Sequence, residues 1–144
     1  MIEKIEYMSR RQELMSMMHK NSIAVISSAP EKVRSRDTLY PYIQNVNLTY
    51  LAGFPEPESV LVLIPDREDG QVILFCRDKD PLRETWDGYR EGPASAIKKY
   101  GFDDAFPISD IDDILPNLIE GKDRLYYAVG LSLIHISEPT RRLV

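Results

Sequence analysis

The chain has 144 residues, 43% hydrophobic and 28% charged, with a formal net charge of −5. These totals suit one soluble globular domain with a real core and exclude a disordered chain. No apolar run approaches the roughly 20 residues that span a bilayer, and the acidic balance argues against nucleic acid or membrane as the main partner.

The N-terminal MIEKIEYMSRRQ carries both charge signs and no apolar h-region, so no secretory signal is expected and a cytoplasmic location is. Ser9 to His19 reads as a helix, with Ser9 and Gln12 at capping-box spacing and Leu14, Met15 and Met18 on one face. Ile23 to Ser27 reads as a buried strand and Ala29 to Asp37 as a polar loop. Tyr40 to Pro65 sets four aromatic residues and four prolines around Gln44-Asn45, a composition that presents rigid rings and amides to a partner or ligand.

Val60 to Ile64 and Val72 to Cys76 are continuous apolar runs separated by PDREDGQ, which predicts a hairpin in a sheet covered on both faces. Cys76, the single cysteine, lies in the second run and reads as a buried thiol in a reducing compartment. Asp80-Pro81 opens a short helix toward Trp86, and Gly92-Pro93 opens another to Tyr100, stopped by Gly101. Phe102 to Pro107 is extended. From Ser109, Ile111, Ile114, Leu115, Leu118 and Ile119 follow helical spacing, with Pro116 expected to kink or split the helix. Arg124 to Val129 is a last strand. The sum is an α/β domain, a mixed β-sheet flanked by helices.

Leu131 to Arg141, LSLIHISEPTR, matches what one reading frame of a transposase-type sequencing-library adapter encodes. The native domain is therefore expected over residues 1–130, with 131–144 a non-native tail; the alternative is a natural strand and turn. Outside that tail His19 is the only histidine, and it reads as a helix-end or surface residue. No metal-spaced His/Cys cluster, GxSxG, P-loop or GxGxxG string is present, so no catalytic residue and no metal ligand is assigned. The acids at Asp103-Asp104 and Asp110, Asp112 and Asp113 are explained by a helix start and its flank, with a carboxylate-bound metal pair as the lesser alternative.

Two features point to binding. Trp86, the only tryptophan, sits among Arg83, Glu84, Asp87 and Arg90, either as an amphipathic anchor or as a ring capping the core edge beside Gly88. Arg34 to Asp37, beside Tyr40-Pro41-Tyr42, is either an arginine site for a carboxylate on another chain or a solvated loop.

RRQEL at 10–14, RSRDTLYPYIQN at 34–45, TYLAGFPEPESVLVLIP at 49–65 and RETWDG at 83–88 together resemble the N-terminal domain of aminopeptidase P, the Xaa-Pro aminopeptidases. The resemblance implies a creatinase-like fold with ribonuclease-H-like layering. It implies a catalytic pita-bread domain beyond this chain that holds two divalent ions, typically manganese. It also implies a homo-oligomer, dimer or tetramer, acting on peptides with proline second. Asp37 and Trp86 would then bound a neighbouring subunit's substrate pocket, with Arg34, Tyr40, Tyr42, Gln44 and Asn45 as interface candidates. A prolidase-type dipeptidase, a stand-alone interaction module and, more distantly, a ribonuclease-H-like nuclease are the other readings.

Overall fold

The structure is a computed structural model and describes residues 2–30, 42–68, 70–128 and 135–136. The first helix, α1, spans Lys4–Met17 rather than starting at Ser9, and its N-cap Glu3 makes no side-chain cap bond. The expected capping box does not form because Lys4, Glu6, Met8 and their neighbours are good helix formers with no breaker among them. Strand β1, Ser22–Ser27, follows as expected.

The segment read as a presenting loop holds a helix instead. In α2, Val46–Ala52, the Asn45 side chain accepts from the N–H groups of Asn47 (2.7 Å) and Leu48 (3.4 Å). The helix stops at Gly53, whose φ of +67° is left-handed and where a Cβ would stand 2.5 Å from the Tyr7 ring. Strands β2, Val60–Leu63, and β3, Val72–Cys76, form the expected antiparallel hairpin, with Val60 opposite Phe75 and Leu63 opposite Val72.

Helices α3, Pro81–Asp87, and α4, Pro93–Tyr100, then lead to β4, Asp104–Pro107, which lies parallel to β3. A short 3-10 turn precedes α5, Ile111–Ile119, which continues as one helix through Pro116. Strand β5, Arg124–Ala128, runs parallel to β1, and the two residues of β6, His135–Ile136, pair antiparallel with β5. The sheet order is β4-β3-β2-β1-β5-β6.

Side chains alternate across this mixed sheet and bury two cores. Ala24, Ile26, Leu61, Leu63, Leu74 and Cys76 face Met15, Leu48, Leu51, Phe54, Ala96 and Phe102 from the α1, α2 and α4 side. Ile23, Val62, Ile64, Ile73, Phe75 and Leu125 face the apolar stripe of α5. The continuous apolar runs of β2 and β3 are thus explained by helices on both faces.

Inside the first core lies a charge. Arg11 is 1% exposed, and its guanidinium donates to the carbonyls of Leu51 (2.9 Å), Tyr100 (3.0 Å) and Gly101 (3.2 Å). The first two carbonyls end α2 and α4, where helix dipoles concentrate negative potential. The Phe102 ring lies 5.1 Å from the guanidinium carbon. Burial pushes the Arg11 pKa down to about 10, with Asp103 opposing, so it stays charged at neutral pH. Arg11→Ala would orphan these carbonyls at about 1–3 kcal/mol per buried group. We expect it to lower the urea midpoint more than Arg10→Ala, whose side chain lies nearer the surface over Tyr50.

Cys76 is fully buried, and burial, reinforced by Glu56 and Asp78, pushes its thiol up to about 12. Below the ordinary value near 9 the folded and unfolded thiols are both protonated. Between the two values the unfolded chain holds fewer protons, so this group's contribution to stability falls as pH rises. At pH 8 a disulfide reagent should therefore leave native Cys76 unlabelled and react in full once denaturant is added.

Candidate functional site

Between the end of β3 and the start of α4 the chain makes an excursion over residues 78–91. Asp80 caps α3 by accepting from Arg83 N–H at 3.2 Å, and Pro81 occupies the first turn as the sequence predicts. The helix ends at Gly88, whose φ of +96° turns the chain back. Its outer side carries Leu82 and Trp86, four residues apart, and Tyr89 follows; Trp86 is 85% exposed. The core-edge alternative for this ring is therefore overturned: Trp86 projects into solvent.

The neck of the excursion is tied shut by charge-assisted hydrogen bonds. Lys79 Nζ donates to Glu84 Oε1 (3.0 Å) and to the Arg90 carbonyl (2.7 Å), and it stands 4.0 Å from the centre of the Tyr89 ring. Glu84 Oε1 also accepts from Arg90 N–H at 3.0 Å. The Arg90 N–H and then Lys79 hold the Glu84 carboxyl below its usual value, and the Glu84 hydrogen bond raises Lys79.

Beneath the neck lies a buried carboxylate, Glu56. Its Oε1 is 3.3 Å from Arg77 Nη2, and its Oε2 accepts from Glu91 N–H at 2.8 Å. Arg77 and Glu91 bracket the excursion, so one side chain holds both stems. Burial opposes ionisation of Glu91, yet hydrogen bonds from Tyr89, Ser95 and Lys99 outweigh it and keep its pKa below the usual glutamate value. This carboxylate's contribution to stability is complete above the unfolded-state value and lost as pH falls through the lower folded one.

Gln44 joins the presenting segment to the same point. Its Nε2 donates to the carbonyls of Glu56 (2.8 Å) and Phe54 (3.1 Å), and its Oε1 accepts from Ala29 N–H and Asn45 N–H. The Tyr42 hydroxyl donates to the Ala29 carbonyl at 2.5 Å, with Gln44 Oε1 2.9 Å away. Asn45 is buried at the start of α2. Gln44 and Asn45 thus support the segment from within, and the exposed groups nearby are Ile43, Val46 and Tyr50. Arg34, Asp37 and Tyr40 lie outside the described residues.

Among the described residues no three His, Cys, Asp or Glu side chains converge as a metal site. His19 is exposed, and its backbone makes the contacts: its N–H donates to the Tyr126 hydroxyl at 3.3 Å and its carbonyl accepts from the Ser22 hydroxyl at 2.5 Å. Asp103 accepts from Gln71 and Val72 N–H, both at 3.0 Å, and so ties down the turn before β3. Sequence reasoning missed Glu56, Arg77 and Glu91; an acid between two prolines and an arginine closing an apolar run were the available signals.

Residues 7–127 match the family model described as "Aminopeptidase P, N-terminal domain". The chain belongs to that family. It is 43% identical over 130 residues to the Xaa-Pro aminopeptidase of Escherichia coli K12, covering 90% of this chain and 30% of the relative. It is 34% identical over 138 residues to Xaa-Pro aminopeptidase 3 of Homo sapiens, covering 88% and 27%. Among solved structures, aminopeptidase PepP of Pseudomonas aeruginosa superposes with a TM-score of 0.86 at 56% identity, covering 91% of this chain and 30% of that one. The chain therefore spans about 30% of the length of the relatives it matches, and its fold is that of the aminopeptidase P N-terminal domain.

Glu56→Ala would leave the Arg77 guanidinium, whose Nε already lacks an acceptor among the described residues, buried without its carboxylate. The expected cost is about 3–5 kcal/mol, read from chemical denaturation. The milder Glu56→Gln should fall between this variant and the wild type.

Proposed function

We propose that this chain is the N-terminal part of a metal-dependent Xaa-Pro aminopeptidase. In this reading it builds a homo-oligomer and lends Trp86 and Asp37 to the rim of a neighbouring subunit's substrate pocket. The observation that carries the reading is Trp86: a large ring, 85% exposed, held outward on a helix whose neck is tied shut. Exposed tryptophans on ordered elements are favoured anchors at interfaces. The relatives support the substrate class, since they are named Xaa-Pro aminopeptidases in bacteria and in mammals.

The chemistry belongs elsewhere in such an enzyme. A pair of divalent ions, manganese by family resemblance, would supply an activated hydroxide for attack on the peptide bond. The described residues of this chain provide no ligand set for them. One solved relative is described as zinc-substituted E. coli aminopeptidase P in complex with product. What this chain contributes is shape: rings that narrow the entrance, exclude water and admit a peptide by fit.

Residues 131–144 are read as a non-native tail, in keeping with a family match that stops at 127. A cytoplasmic location is part of the same proposal; no helix among the described residues is long and apolar enough to cross a membrane.

The test has two arms. The 144-residue chain, supplied with manganese and an Xaa-Pro peptide, should release no amino acid. In the complete enzyme Trp86→Ala should lower kcat/KM for the same peptide by roughly 30-fold, the effect of losing a 2 kcal/mol hot spot, with an unchanged circular dichroism spectrum. Release by the chain alone, or equal kinetics in the variant, would refute the proposal.

A further inference from the structure

The tip and the neck of the excursion have different tasks. Leu82 and Trp86 face solvent and pack on little, so burial alone does not fix their direction. A helix of seven residues is too short to be stable by itself. Something other than core packing must decide where the tryptophan points.

We propose that Lys79 and Glu84 are positioning residues that fix the direction of Trp86; its bearing on catalysis rests on the pocket reading given above. The pair closes a ring through both stems. Lys79 stands on the outgoing stem, Glu84 lies within α3 two residues before the tryptophan, and Arg90 stands on the returning stem. Glu84 Oε1 receives both Lys79 Nζ and Arg90 N–H at 3.0 Å, and Lys79 Nζ also reaches the Arg90 carbonyl at 2.7 Å. Helix and both stems therefore meet at one carboxylate oxygen and one ammonium.

The returning stem also packs closely on the outgoing one. Gly92, with φ of +78°, lies where a Cβ would come within 3.2 Å of Lys79 Cβ. The base of the lysine side chain thus lies against the Gly92 backbone while its ammonium sits over the Tyr89 ring. With the neck fixed, α3 swings only if these hydrogen bonds break. Lys79 and Glu84 touch no reacting atom in this scheme and act through the placement of another side chain.

Because Trp86 is the only tryptophan in the chain, its fluorescence reports this directly. In time-resolved anisotropy the wild-type chain should decay mainly with overall tumbling. Glu84→Ala and Lys79→Met should each at least double the amplitude of fast depolarisation, with circular dichroism unchanged. Glu84→Gln, which keeps an acceptor for Arg90 N–H, should fall between them and the wild type. In the complete enzyme Glu84→Ala should raise KM for an Xaa-Pro peptide about tenfold, with kcat within a factor of about two, since weakened positioning costs uniform binding first.

Identical anisotropy in all four chains would overturn the proposal whatever the kinetics. Faster depolarisation with unchanged KM, in an enzyme that Trp86→Ala does impair, would also overturn it. A fully active Trp86→Ala enzyme beside a loosened Glu84→Ala ring would instead remove the pocket reading and uphold the clamp.

Discussion

A guanidinium in the middle of an apolar core governs how the helices of this domain are arranged. Removing a charge from water is costly, and Arg11 recovers that cost through carbonyls that close α2 and α4. Those carbonyls lack intrahelical partners, so each side supplies what the other needs. An aliphatic residue at this position would leave both helix ends unsatisfied; a lysine would lack the planar fork that reaches both. The result is directional in a way that apolar contact is not. It specifies where α1, α2 and α4 stand relative to one another on one face of the sheet.

From that arrangement the binding element follows. The sheet sets the end of β3, Arg11 holds α4 at its far end, and the excursion carrying Trp86 runs from β3 to the start of α4. Glu56 grips Arg77 and the Glu91 backbone at its base, while Gln44 ties the Glu56 backbone to the segment that leads into α2. Two stretches distant in sequence, one rich in aromatics and prolines and one holding the tryptophan, are thus a single hydrogen-bonded unit. Buried polar networks of this kind are stabilising only when their members are satisfied, so the unit forms as a whole or weakens as a whole.

A protein that offers an apolar ring to another molecule has to expose it without letting it collapse onto its own surface. Here a proline and a capping aspartate start the helix, a glycine turns the chain back, and ion pairs hold the neck. The tryptophan keeps its apolar area for a partner while Lys79, Glu84 and the Arg90 backbone are paired with one another. That division of labour accounts for the charged surroundings of Trp86, which by composition alone look like an ordinary solvated turn.

Much of the scaffold was legible in the residues themselves. The β2–β3 hairpin was, because two β-branched apolar runs flank a glycine-containing turn, and their lack of alternation announced helices on both faces. The start of α3 was, because Asp-Pro is a short-range signal needing no distant partner. The α2 helix was not, because aromatic and proline content masked an Asn cap and a terminal Gly enclosing only seven residues. The expected split at Pro116 did not occur either; α5 continues past it as one helix, its apolar stripe held against the sheet.

The amino-acid order alone thus determined the strands, the Asp80-Pro81 start of α3 and the family pattern, since each depends on atoms a few residues apart. Only the folded chain decided that Arg11 lies in the core, that Glu56 meets Arg77 and Glu91 across 21 and 35 residues, and that Trp86 faces outward. Whether a polar group is buried depends on which distant segments surround it, and no local pattern carries that information.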